Sequence, residues 1–459
     1  MRNWHLSDLE KWSNKIEKIA IELGLDFYPQ EFEICSYHEM IGYEAYSGMP
    51  AHYPHWSYGK AYERIATMYK YGVIGLPYEM VINSNPCLAY LMADNSLAAQ
   101  ILTMAHVYGH NDFFKNNVNF EHIRREYVID MFKLHADRIR SYIEDPGIGY
   151  EKVEHILDAA HAIAFQCHRY KKIVTEDEKE LKKKAIEKIK KEGSRWNHLK
   201  PDEKEEEINF TRVPFKPDED ILIFIRDHQP FLEDWQKDIM TIVREETDYF
   251  LPQIETKILN EGWAVFVHNE IGRKLELPPE IAIEYLKLHN QVIRPVKYSL
   301  NPYYLGFKIL KSISDKVNEN ILEIRKIDRD VSFLQRFLNE KLIYEFKLFE
   351  FVKNPAGVYE ISEVADEEGW KKIKQTLIRN IGLNSIPVVK VDEVDFSNYE
   401  LKLIHEHDGR ELHMEYMEHT LKYIYDLWGQ KVSLKTFIKG EEVIAEYTKD
   451  KGFILQTNQ

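Results

Sequence analysis

Apolar residues recur every three to four positions through 6–24, 56–71, 96–115, 120–144 and 150–169, then again through 233–250, 252–271, 279–292, 303–315 and 329–345. This spacing predicts amphipathic helices over most of the chain. Residues 26–58 carry Pro, Gly and many Tyr, His and Trp without helical period and are expected to form an ordered irregular loop. Short runs at Tyr78–Asn83 and Cys87–Met92 predict strands. Beyond about Asn354 the period falls to two: Val388–Phe396, Tyr399–His405 and Leu434–Ile438 predict a small sheet, Asp408-Gly409 a hairpin turn, and 415–428 a helix packed on it. The fold class expected is mainly α with an α+β tail. Four segments follow: a helical part over 1–170, a charged linker or arm over 171–207, a second helical part over 208–353, and a small α+β domain over 354–459. The arm is set apart because 23 of its 37 residues are charged, a solvated rather than a core texture.

Composition narrows the function. Hydrophobic residues make up 44% of the 459 positions, enough for packed cores. A net charge of −15 repels polyanions, and the Lys runs are interleaved with Glu, so no nucleic-acid partner is expected. No leader pattern opens the chain, and runs such as 221–225 are too short to span a bilayer, so no membrane insertion and a cytoplasmic location are expected. The three cysteines, Cys35, Cys87 and Cys167, are widely spaced and form no thiolate zinc pattern, so a metal would need nitrogen and oxygen ligands.

His106 and His110 stand four apart in a helical run, which puts both imidazoles on one face within reach of one ion. The bare spacing is weakly specific and is also met by core histidines. A second signal lies at 254–268, where Ile254, Ile258, Glu261, Val265 and His268 share one helical stripe, so Glu261 interrupts an apolar face and requires a partner. Gly262 beside it costs roughly 1 kcal/mol in a helix interior, which close approach of another helix would rationalise. His106, His110 and Glu261 are therefore the expected ligands of a divalent metal, zinc by donor type, with a fourth position open. His268, seven residues past Glu261, lies about 10 Å further along the axis and fits less well as a ligand.

The arrangement resembles zinc peptidases in which His-Glu-x-x-His is completed by a glutamate on a later helix, some of them in an Glu-Gly-Trp-Ala setting like Glu261–Ala264. That resemblance implies a helical, metalloprotease-like main domain. It also exposes a departure: the glutamate that takes the proton from water is replaced by Val107. Substitute bases are sought in the aromatic segment from Tyr37 to Glu63, where Glu39, Glu44 and Glu63 are the candidates and His38, His52 and His55 read as packing groups. Asp158 and His161 form one carboxylate-x-x-His pair, short of the two that a di-iron bundle needs. Asp227, His228, His405, Glu406 and His407 read as surface or turn residues.

The segments GLDFYPQEFEIC, HWSYGKAYER, YEMVINSNPCLAYLMADNS, MAHVYGHNDFFKNN, LNEGWAVFVH, NPYYLGFKI and HDGRELHMEYMEHTLKYIYDLWGQKVSL together resemble the stage V sporulation protein R family, from near residue 20 to about 435. The resemblance implies a cytoplasmic protein tied to formation of the spore cortex, the peptidoglycan layer of the endospore. In bacteria that make no spores it implies association with a serine protein kinase and a von Willebrand-like partner. It implies no reaction. Two readings remain open: a metal-dependent hydrolase, amidase or peptidase-like, acting on an unknown substrate, or a non-catalytic assembly or regulatory protein whose helices hold a structural metal or a His/Glu cluster. Protein partners are expected at the C-terminal domain.

Overall fold

The computed structural model describes residues 4–71, 79–169, 218–296, 300–315, 320–348, 350–353, 359–363, 368–395 and 398–457. The charged arm expected over 171–207 lies outside the described residues. In chain order the elements are α1 (Leu6–Glu22), β1 (Gln30–Cys35), α2 (Tyr37–Ala45), α3 (Trp56–Lys70), β2 (Glu79–Ile82), β3 (Cys87–Met92), α4 (Leu97–Asn116), α5 (Val128–Glu144), α6 (Tyr150–Ile163), α7 (Ile221–His228) and α8 (Asp234–Glu255). They continue as α9 (Lys257–Lys274), α10 (Pro279–Val292), α11 (Pro302–Ser314), α12 (Ile321–Ile327), α13 (Asp330–Phe337), α14 (Glu340–Phe346), β4 (Glu350–Lys353), β5 (Tyr359–Glu363), α15 (Gly369–Arg379), β6 (Val389–Asp395), β7 (Glu400–His405), α16 (Met414–Trp428), β8 (Val432–Ile438), β9 (Glu441–Thr448) and β10 (Gly452–Thr457). The class is the expected one, mainly helical with a strand-rich C-terminal part.

The chain divides into two compact units, each discontinuous: Met1–Ser141 with Asp248–Ser385, and Tyr142–Thr247 with Ile386–Gln459. These units cut the chain differently from the four sequential segments. Residues 369–385 belong to the first unit because Ile373, Ile378 and Ile381 are buried in its core beside Phe333 and Leu334.

At the centre of the first unit lies α4, buried from Ala98 to Phe114. A helix apolar on every side needs neighbours all round. It has them in α1, α9, α10 and the sheet β1-β3-β2, whose middle strand β3 is itself wholly buried. Ser96 starts α4, its Oγ accepting from Ala99 N at 3.2 Å. Helix α9 is held between α4 and α11. Small residues set both crossings: a Cβ on Gly109 would lie 2.6 Å from Ala264 Cα, and one on Gly262 would lie 2.4 Å from Gly306 Cα. The close approach inferred from Gly262 is therefore the crossing with α11.

Several local readings change. The segment 26–58 is not an irregular loop. Gln30–Cys35 pairs in parallel with β3, and Ser36 with Glu39 forms a capping box that starts α2. The run at 329–345 breaks into α13 and α14 because Asn339 caps the second, accepting from Leu342 N at 3.1 Å. The helix expected from 120 begins at Val128, after two single 3-10 turns. Asp408-Gly409 is not a hairpin turn, since β7 and β8 are parallel and joined through α16.

In the second unit the sheet runs β10-β9-β8-β7-β6, and α16 packs against α6. A buried ion pair, Arg244 Nε to Asp220 Oδ2 at 2.6 Å, ties α8 to the start of α7.

Candidate metal centre

Helix spacing stacks His106 and His110 on one face of α4, with ring centroids 4.7 Å apart. Across the Gly109–Ala264 crossing, α9 presents Glu261. Its Oε2 lies 3.5 Å from His110 Nε2 and 3.9 Å from His106 Nε2. The three residues singled out in the sequence therefore converge. A fourth group joins them: Glu79, the first residue of β2, places Oε1 3.8 Å from His106 Nε2. Glu79, His106 and His110 offer ligand atoms all within 4.8 Å of one another, a group able to hold a metal ion.

These separations are too long for hydrogen bonds, which lie near 2.7–3.2 Å. They approach the roughly 3.3 Å that two donors keep when each binds one tetrahedral ion at about 2.0–2.1 Å. Two of the atoms, His106 Nε2 and Glu261 Oε2, are buried and have no hydrogen-bond partner among the described residues. Orphaned polar atoms of this kind each cost about 1–3 kcal/mol unless something else satisfies them.

Proton positions sharpen the case. His110 Nδ1–H donates to Asn260 Oδ1 at 2.9 Å, so its Nε2 is a bare lone pair. That lone pair faces a carboxylate oxygen at 3.5 Å. Two electron-rich atoms so placed repel unless a cation sits between them. Behind His106, Nδ1 contacts His268 Nδ1 at 3.0 Å, and His268 Nε2 contacts His289 Nδ1 at 2.8 Å. His268, doubtful as a ligand from its axial distance, thus stands behind His106.

The electrostatics separate the two carboxylates. Burial pushes Glu79 above the usual carboxylate range, and the charge of Glu261 adds to that, against the opposing pull of His106. Burial also acts on Glu261, but the pull of His106 leads the effects that outweigh it and hold its carboxyl low. Burial drives His110 down to about 4, helped by His106. Tyr303, on α11, is held well above its ordinary value first by the charge of Glu261 and then by burial and Glu79. Its proton stays on.

The other carboxylate candidates are exposed. Glu39 is exposed, and its Oε2 accepts from Ser36 N and Oγ at 2.7 and 2.8 Å. Glu63 is exposed on α3. Glu44 is also exposed, though its charge is felt at Tyr303. His55 caps α3 through Ser57 N, and His52 Nε2 meets Tyr58 OH at 3.0 Å, so both shape the start of that helix. Val107 is fully buried in the core.

Sequence reasoning missed Glu79 and Asn260. Glu79 opens a four-residue strand whose burial alternates, which reads as an ordinary edge position. Asn260 adjoins Glu261, and a second polar residue beside that carboxylate on an otherwise apolar run is the available signal. The Glu-Gly-Trp-Ala run is explained residue by residue: Gly262 and Ala264 permit the two crossings, and Trp263 Nε1 donates to Asp112 Oδ2 at 2.9 Å.

No helix among the described residues is long and apolar enough to cross a membrane. No solved structure matches the chain significantly. The chain is 32% identical to the uncharacterized protein YcgB of Escherichia coli (strain K12), over 94% of this chain and 92% of that one. The model of the SpoVR-like protein family matches residues 3–386, and that of the SpoVR-like C-terminal domain matches 386–439. The chain belongs to the SpoVR family.

Proposed function

We propose that this SpoVR-family protein is a metal-dependent hydrolase of the amidase or peptidase kind, acting in the cytoplasm on a substrate of spore-cortex assembly. Family membership supports the association with sporulation. The observation that carries the chemistry is the bare His110 Nε2 set 3.5 Å from Glu261 Oε2. In this reading His106, His110 and Glu261 hold the ion and Glu79 is the proton acceptor that Val107 is not. A bound zinc would polarise a carbonyl and acidify water. Burial holds the Glu79 carboxyl above its ordinary value, which favours its accepting a proton. Water would lose its proton to Glu79, its oxygen would bond to the amide carbon, the C–N bond would break, and Glu79 would pass the proton to the leaving nitrogen. Tyr303, which keeps its proton beside Glu261, would offer an O–H donor to the carbonyl oxygen.

A second reading, a non-catalytic assembly factor with a structural metal, is favoured by Val107, buried where the related peptidases carry their base. Glu79→Gln separates the two. Restored to a spore-forming host that lacks its own SpoVR protein, a Glu79→Gln protein with metal and fold intact but no cortex function supports the hydrolase. Full function supports the assembly factor.

A further inference from the structure

We propose that His268 and His289 are positioning residues that set the tautomer of His106 and so extend the metal centre through α9 to α10, an inference that rests on the metal-centre reading. Three imidazoles stand in file: His106 Nδ1 to His268 Nδ1 at 3.0 Å, then His268 Nε2 to His289 Nδ1 at 2.8 Å. All three are buried, His268 completely. The backbone at His268 is pinned as well, its carbonyl accepting from Tyr285 OH at 2.6 Å. Both of these contacts come from α10.

Each N···N contact holds one proton, and a neutral imidazole carries one N–H. The file therefore has two orders. In the first, His106 Nδ1–H donates to His268 and His268 Nε2–H donates to His289, which leaves His106 Nε2 bare toward Glu261 and Glu79. In the second, every donor reverses, a proton sits on His106 Nε2, and the site is closed to a cation. Only the first order makes His106 a ligand. Metal-bound histidines ordinarily have a carboxylate or carbonyl as the acceptor that fixes their tautomer. Here a second histidine fills that role and is itself fixed by a third.

The test uses the full chain with 15N-labelled histidine. Long-range 1H–15N spectra, recorded before and after zinc is added, read which nitrogen of each ring is protonated. Zinc affinity is measured in parallel for wild type, His268→Phe, His268→Asn and His289→Phe. His106 should be protonated at Nδ1 in the zinc-loaded wild type. Zinc affinity should be 10- to 100-fold weaker in His268→Phe, with circular dichroism unchanged, and should recover in His268→Asn, whose Oδ1 takes the place of Nδ1. His289→Phe should weaken zinc less than His268→Phe does. Zinc bound equally by wild type and His268→Phe, or a zinc-loaded His106 protonated at Nε2, overturns the file and leaves the metal centre standing. A wild type that takes up no zinc overturns the metal centre itself.

Discussion

Gly262 lies against Gly306 so closely that a Cβ on the first would meet the Cα of the second at 2.4 Å. Glu261 is the neighbour of that contact, so its place beside the histidines depends on the α9–α11 crossing. Gly262→Ala must push the helices apart, and overpacking of this kind typically costs about 1–3 kcal/mol. Thermal unfolding should shift downward, and metal affinity should fall with it. Gly59→Ala, on the exposed face of α3 where a Cβ meets nothing within 4 Å among the described residues, serves as the control: it should hold or raise the unfolding temperature, by up to about 1 kcal/mol, and leave metal affinity unchanged.

Asp330 supports the same helix from outside the site. Its two oxygens accept from Ile258 N and Leu259 N at 2.9 Å each, at the start of α9. Asp330→Ala orphans two buried donors, at about 1–3 kcal/mol apiece. Denaturant unfolding should show a loss of that size. Asp330→Asn, which keeps one acceptor oxygen, should lose less.

The metal-free protein should weaken in mild acid. His110 titrates near 6.5 when unfolded and at about 4 when folded. Its folded pKa is depressed, so the stability it contributes is complete above 6.5 and is lost as the pH falls toward 4. The full span corresponds to about 3 kcal/mol. His268, also held low by burial, acts in the same direction. Unfolding free energies between pH 7 and 4 should show this slope in the metal-free form, and saturating zinc should move it to lower pH, because the ion competes with the proton for Nε2. A flat profile would mean that the imidazoles are not held neutral.

The elements that the sequence reveals are those whose signal is local. Helix spacing places His106 with His110, and a lone carboxylate on an apolar run picks out Glu261. The partner of each is a matter of packing. Nothing in the alternation around Glu79 says which helix β2 will face, and the link from His106 to His289 crosses three helices. The aromatic residues of 26–58 hide both the period-two run at β1 and the Ser36–Glu39 cap. The division near 354 followed a real change of period, but α15 turns its isoleucines into the first unit's core. Truncation after residue 353 should therefore lower the melting temperature of the first unit, which a circular-dichroism melt would detect.

Glu79 and Glu261 are chemically alike and are assigned different work. Glu261→Gln should cost most of the metal affinity. Glu79→Gln should keep the metal within about tenfold while removing the base, a loss of roughly 100- to 10,000-fold in any hydrolysis the protein performs. Equal loss of metal from both variants would instead make Glu79 a fourth ligand and close the site.

The metal centre as proposed is one divalent ion held by His106, His110 and Glu261. Elemental analysis of protein purified without added metal tests it most directly, on wild type beside His106→Ala and Glu261→Ala. About one zinc per wild-type chain is expected and almost none in either variant, with helical circular dichroism retained in all three. A wild type free of metal that also fails to take up zinc, or a His106→Ala protein that keeps its full complement, would contradict it.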